Sequence, residues 1–198
     1  IMEAFETNQS VTELNLGNNL IGQAESMNVV QPDLVTGGEA TATMLRVNTT
    51  LKILNLSWNS LRAESATDIA QAIGDNSTLT QLELSHNAFG DMPSQYLGMA
   101  LAHNQSMQRL DLSYNAVSPA AAMVIASAFK TNNSLSYLNL DGNKIGKRGA
   151  SALMGALRSG QEGLRDVAIS VEDCDSTFDD GTLFNPGTHR RACASSND

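Results

Sequence analysis

Four stretches of the chain repeat one pattern: LKILNLSWNSL from Leu51, LTQLELSHNAF from Leu79, MQRLDLSYNAV from Met107 and LSYLNLDGNKI from Leu135. Each begins 28 residues after the one before it. A period of this length marks one supersecondary unit stacked on copies of itself, because so short a unit cannot bury its apolar face alone. The array limits every other part of the chain to an end, an insertion or a cap.

Inside each repeat the apolar spacing changes halfway. Leu54/Leu56, Leu82/Leu84, Leu110/Leu112 and Leu138/Leu140 alternate with polar residues, the period of a strand with one buried face. Ile69/Ile73, Leu97/Leu101, Ile125/Phe129 and Leu153/Leu157 are pairs four apart, which places each pair on one side of a helix. Ala66, Ser94, Ala122 and Ala150 form a column of small residues that lets neighbouring helices approach. Ser118 before Pro119 reads as an N-cap with proline at the first helical position.

Asn19, Asn59, Asn87, Asn115 and Asn143 each stand eight residues after the first apolar strand position. An amide both donates and accepts, so a buried asparagine there can satisfy turn backbone and join adjacent coils. This ladder is the most specific element of the pattern.

At the N-terminal end, AFETNQSVTELNL from Ala4 matches AFKTNNSLSYLNL from Ala128, so the chain is expected to begin inside a helix whose strand lies upstream. Val11, Leu14 and Leu16 give the first strand, and the next begins 40 residues after Val11. The surplus falls near residues 23–38, where QPDLVTGG with Pro32, Gly37 and Gly38 reads as loop. At the other end Leu164, Val167 and Ile169 read as a last, degenerate strand, with Glu172 in the asparagine place. Repeats are therefore expected over 1–172 and an irregular cap or tail over 173–198.

The pattern LxxLxLxxN with a further apolar residue two positions on resembles the leucine-rich repeat. Units of 28 residues with a full helix are similar to its ribonuclease-inhibitor type. The resemblance implies an α/β solenoid, a right-handed superhelix with a parallel sheet on the concave face and helices on the convex face. It also implies a protein partner on the concave face, as in a scaffold or sensor segment. Fold alone does not set function, so the side chains must name the site.

Trp58, His86 and Tyr114 occupy one column, flanked by Asn18 and Gly142. Glu83 and Asp111 lie between the paired leucines of their strands, and Arg109 and Tyr137 lie just before them. Exposed rings beside mixed charges are the composition of an interface hot spot. These seven residues are the expected partner-binding set.

Net charge is −9, which opposes binding along a phosphate backbone, so nucleic acid is not an expected partner. No apolar run is long enough for membrane insertion. Cys174 and Cys193 do not make a disulfide framework, and two reduced thiols in a cytoplasmic protein are expected, with a single bond tying down the tail as the alternative. His86, His103 and His189 lack metal-ligand spacing, and Phe178 stands where a calcium loop over Asp173, Asp175, Thr177 and Asp179 needs glycine. No catalytic motif, cofactor site or metal site is expected. Asn8, Asn48, Asn55, Asn76, Asn104 and Asn132 begin N-x-S/T triplets, which recur because the repeat's own turn is rich in these residues. The alternative to a binding module is a GTPase activator similar to that of the nuclear-transport GTPase Ran, with Arg62 on a repeat edge as its candidate arginine.

Overall fold

The computed structural model describes residues 1–23, 35–158, 167–172 and 174. Among them, strands β1 (Glu13–Asn15), β2 (Ile53–Asn55), β3 (Gln81–Glu83), β4 (Arg109–Asp111), β5 (Tyr137–Asn139) and β6 (Ala168–Ser170) form one parallel sheet in chain order. Helices α1 (Met2–Glu6), α2 (Gly37–Val47), α3 (Ala63–Asp75), α4 (Asp91–His103), α5 (Pro119–Ala128) and α6 (Gly146–Arg158) alternate with the strands. Each helix packs against the next, so the chain is an α/β solenoid with a sheet along one side and a row of helices along the other.

The leucine pattern sets the register. Leu14, Leu54, Leu82, Leu110, Leu138 and Ile169 are successive partners across the sheet. From Leu54 to Leu138 they are buried, together with Ile69, Ile73, Leu97, Leu101, Ile125, Phe129 and Leu153 from the helices. Gly98 sits against α5: a Cβ there would lie 2.9 Å from the Ile125 backbone nitrogen. Ser118 caps α5 as expected, its Oγ accepting from the Ala120 and Ala121 N–H groups.

Two expectations are corrected at the ends. Gly37 and Gly38 do not belong to a loop: they open α2 behind the Thr36 cap, and Gly38 is buried against Ser65. The last strand is read two positions too early, because Ile169 pairs with Leu138 and Val171 follows in the buried set. In that register Cys174, not Glu172, stands opposite Asn143, and the buried Cys174 thiol lies 3.3 Å from the Leu140 carbonyl. The central residues of the insertion, Pro32, Leu164, Cys193 and the calcium-like run at Asp173 and Asp175 to Asp179 lie outside the described residues.

Candidate protein-binding face

Strand residues on either side of each buried leucine point away from the helices, because side chains alternate along a strand. This puts Arg109 and Tyr137 in one row of the open sheet face and Asn15, Asn55, Glu83, Asp111 and Asn139 in the next. The Arg109 guanidinium carbon lies 4.3 Å from the centre of the Tyr137 ring, within cation–π range. Asn55 Nδ2 donates to Glu83 at 2.6 Å and Asn139 Nδ2 to Asp111 at 3.2 Å, so two neighbouring carboxylates are each held by an amide from the strand on their outer side.

The short side chains in this row also close the turn after the strand. Asn15, Asn55, Asp111 and Asn139 accept from the N–H two residues on, at 2.8–2.9 Å. Glu83 instead accepts from Gln81 Nε2 at 3.1 Å. Asp141 adds a further carboxylate: it accepts from Ser170 Oγ at 2.8 Å and from the Glu172 N–H at 2.6 Å. Burial pushes the Asp141 carboxyl above its ordinary range, against the pull of those two hydrogen bonds. The Tyr137 phenol is raised as well, by burial first and then by Asp111 and Asp141, with Arg109 opposing.

Trp58, His86 and Tyr114 are not strand residues. They sit in the turn three positions past β2, β3 and β4, with φ of 58°, 53° and 54°. Asn18 and Gly142 share the left-handed backbone at 60° and 65°, so the whole column is left-handed. The turn needs this conformation, and only Gly142 adopts it without steric cost. The rings stack: Trp58 to His86 at 4.0 Å between centres and 13° between planes, His86 to Tyr114 at 4.3 Å and 8°. Tyr114 lies over Gly142, where a Cβ would clash with its Cε1 and Cδ1. Trp58 is 57% exposed and Tyr114 44%.

Directly behind the rings runs the asparagine ladder. Asn59, Asn87, Asn115 and Asn143 are buried, and each donates back to a strand carbonyl of the preceding repeat: Leu16, Leu56, Leu84 and Leu112, at 2.8–3.0 Å. Asn19, in the first repeat described, is exposed and donates within its own turn, to Leu16 and Gly17.

A second ladder was hidden in the N-x-S/T triplets. Asn48, Asn76, Asn104 and Asn132 follow the helices and are buried. Their Nδ2 groups donate to Phe5, Leu45, Ile73 and Leu101, carbonyls near the end of the previous helix, at 2.6–2.8 Å. Each triplet's serine or threonine N–H returns to the same asparagine's Oδ1 at 2.9–3.1 Å. A buried, engaged nitrogen cannot take a glycan, so these four triplets are turn chemistry. Their spacing of 28 was the available signal.

Arg62 lies elsewhere, half-buried at the start of α3, where it forms a bridge with Ala88. Among the described residues no group of His, Cys, Asp and Glu could hold a metal ion, and no helix is long and apolar enough to cross a membrane.

The Leucine Rich repeat family model matches residues 47–70, 75–91, 103–126 and 131–154. The fold is similar to the solved structure titled Leiomodin-1 Actin-Binding Site 2, with a TM-score of 0.60 and 20% identity over 79% of this chain and 85% of that one. It is also similar to the tropomodulin C-terminal domain of Caenorhabditis elegans, with a TM-score of 0.60 and 14% identity over 79% and 91% of the two chains. At those identities the likeness is one of fold. No curated protein matches the sequence.

Proposed function

We propose, from the premise that this chain is a leucine-rich-repeat protein, that it binds a protein partner on its open sheet face. In this reading that face is concave, the repeats are of ribonuclease-inhibitor type, and the chain is a non-enzymatic cytoplasmic scaffold or sensor segment. The repeats run on to the last ladder position at Cys174, two residues past the expected end at 172, and the remainder caps or connects them. The observation that carries the reading is the exposed stack of Trp58, His86 and Tyr114. Three non-glycine residues held in a left-handed backbone cost stability, and bulky rings are the least suited to it. Glu83, Asp111 and Arg109 lie on strands that lead into the stack, Tyr137 lies on the neighbouring β5, and together they supply the polar rim.

Changing Trp58 and Tyr114 together to Ala should abolish partner capture, since losing an interface anchor costs about 2 kcal/mol or more. The melting temperature should fall by only about 2–10 °C, because neither ring belongs to the core and what is lost is the two stacks. The leiomodin-1 domain of the same fold is an actin-binding site, so actin is the first partner to test by cosedimentation. Capture from cell extract, comparing the parent chain with the double variant, is the general form. A folded double variant that retains every partner would refute the assignment. The GTPase-activator alternative rests on Arg62, and an unchanged rate of GTP hydrolysis would exclude it for the GTPases tested.

A further inference from the structure

The outer surface of the helix row divides by charge. Helix α3 carries Glu64, Asp68 and Asp75 with no cation of its own, Asp75 being paired with Arg46 of α2 at 3.6 Å, and α6 carries Lys147 and Arg148 in its first turn with no acid there. Between them α5 has no acidic or basic residue at all, and α4 has only Asp91 and His103 at its two ends. Asp91 is already engaged, bonded to Ser118 and to Gln95. In the uncharged centre Met92, Met99 and Met123 are 59%, 53% and 48% exposed. Met92 and Met99 are two turns apart on one side of α4, and Met123 lies on the adjacent α5. An apolar patch rimmed by polar groups marks a contact surface, and methionine suits one that must adapt.

The repeat makes the flanks comparable position by position. Glu64, Met92, Ala120 and Arg148 are spaced by 28 residues, share one row across four helices, and are all exposed. This row is negative at one end and positive at the other. A two-fold axis lying parallel to the helices, between α4 and α5, reverses the row while keeping its level along the helices. It sets Met92 against Ala120 of a second copy, Met99 against Ser127, and Glu64 against Arg148. Each charged contact then occurs twice, as an isologous interface requires. A same-sign row would repel itself under this operation, whereas this one attracts. We propose that the α4–α5 surface is a self-association face, on which a second copy of the chain docks with α3 beside the other copy's α6. The proposal does not depend on the sheet-face reading, and the dimer leaves the sheet side open.

Sedimentation equilibrium of the 198-residue chain tests it. The expected result is a reversible monomer–dimer equilibrium that weakens with added salt. Met99→Glu with Met123→Glu should raise the dissociation constant about tenfold or more by placing charges in the centre. Glu64→Arg or Arg148→Glu alone should raise it by roughly threefold to thirtyfold, since an exposed pair is lost twice. Both swaps on one chain should restore dimerisation to within about twofold, because the pairs are reformed with reversed sign. Protection of the α4 and α5 amides from hydrogen exchange, followed on dilution of the unaltered protein, needs no variant and should be lost as dimer dissociates. A monomer at every concentration would overturn the proposal. So would a dimer indifferent to the methionine changes, a folded double swap that fails to recover, or a monomer that uses the methionines to bind phosphatidylcholine vesicles.

Discussion

The turn after each strand and the turn after each helix both hang on one asparagine, but they divide its hydrogen bonds differently. After β3, Asn87 Nδ2 donates to Leu84 and to Leu56 of the preceding repeat at 2.8 and 3.0 Å, while its Oδ1 accepts from Asn59 and Leu61 of that repeat, both at 3.0 Å. After α4, Asn104 Nδ2 donates to Ile73 and Asn76 of the preceding repeat, both at 2.8 Å, while its Oδ1 accepts from Ser106 and Met107 of its own at 2.9 and 2.8 Å. The helix-end asparagine therefore closes its own turn and also satisfies a last-turn carbonyl that the previous helix cannot pair itself. The strand-end asparagine sends its oxygen wholly to its neighbour and leaves the residue before it outside the core, on a left-handed backbone. One turn is given over to structure, and the other is shared between structure and a surface.

Replacing the two asparagines separates these roles, and the helix-end change should have the larger effect. Asn104→Leu strands the Ser106 and Met107 N–H groups and deprives the Ile73 carbonyl of its donor, at roughly 1–3 kcal/mol per buried group. Asn87→Leu strands the Asn59 and Leu61 N–H groups, but its carbonyls keep donors: Leu56 retains Asn59 and Leu84 retains Asn115. Urea unfolding should rank Asn104→Leu below Asn87→Leu, and Asn87→Leu below the parent chain. The reverse ranking would show that linkage across the sheet side, not closure of the helix end, dominates.

The sequence made one of these ladders plain and disguised the other. Leucine alternation and Asn59, Asn87, Asn115 and Asn143 recur in a pattern where each position has one physical use, so sheet, register and helices all follow. Asn48, Asn76, Asn104 and Asn132 recur as regularly, but asparagine followed by serine or threonine also suits any exposed turn, and burial is a property of stacking that one repeat does not reveal. The last strand was misplaced because its spacing from Leu138 to Ile169 exceeds the period, and Cys174 does not look like an asparagine although its thiol reaches the equivalent carbonyl. Trp58, His86 and Tyr114 were legible as a column and not as a left-handed one. Gly142 at its end was the clue to the backbone.

That glycine offers a smaller test. Gly142→Ala places a Cβ at φ 65° and in collision with Tyr114 Cε1 and Cδ1, so it strains the turn and displaces the end of the stack together. The expected cost is about 1–2 kcal/mol, from the left-handed backbone alone. Tyr114 should also become more accessible, read as quenching of tyrosine fluorescence in a Trp58→Phe background. A variant as stable as the parent chain, with unchanged quenching, would show that Tyr114 does not rest on Gly142.

The smallest effect bears most directly on why the rings are there. Trp58→Gly and Trp58→Ala remove the same ring and the same stack on His86, so their difference isolates the backbone at φ 58°. Glycine adopts that conformation freely, whereas alanine carries a left-handed penalty of about 1–2 kcal/mol. Glycine also has the more flexible unfolded chain, which returns part of the advantage. The glycine variant should therefore be more stable than the alanine variant by about 1 kcal/mol, the reverse of their order in a helix or strand. Relative to tryptophan, glycine loses a ring stack worth about 0.5–1.5 kcal/mol and relieves a strain of similar size. Its melting temperature should thus stay close to that of the parent chain while partner capture fails. If alanine proves equal to glycine, the turn is not left-handed in solution, and the ring strip built on it loses its geometry.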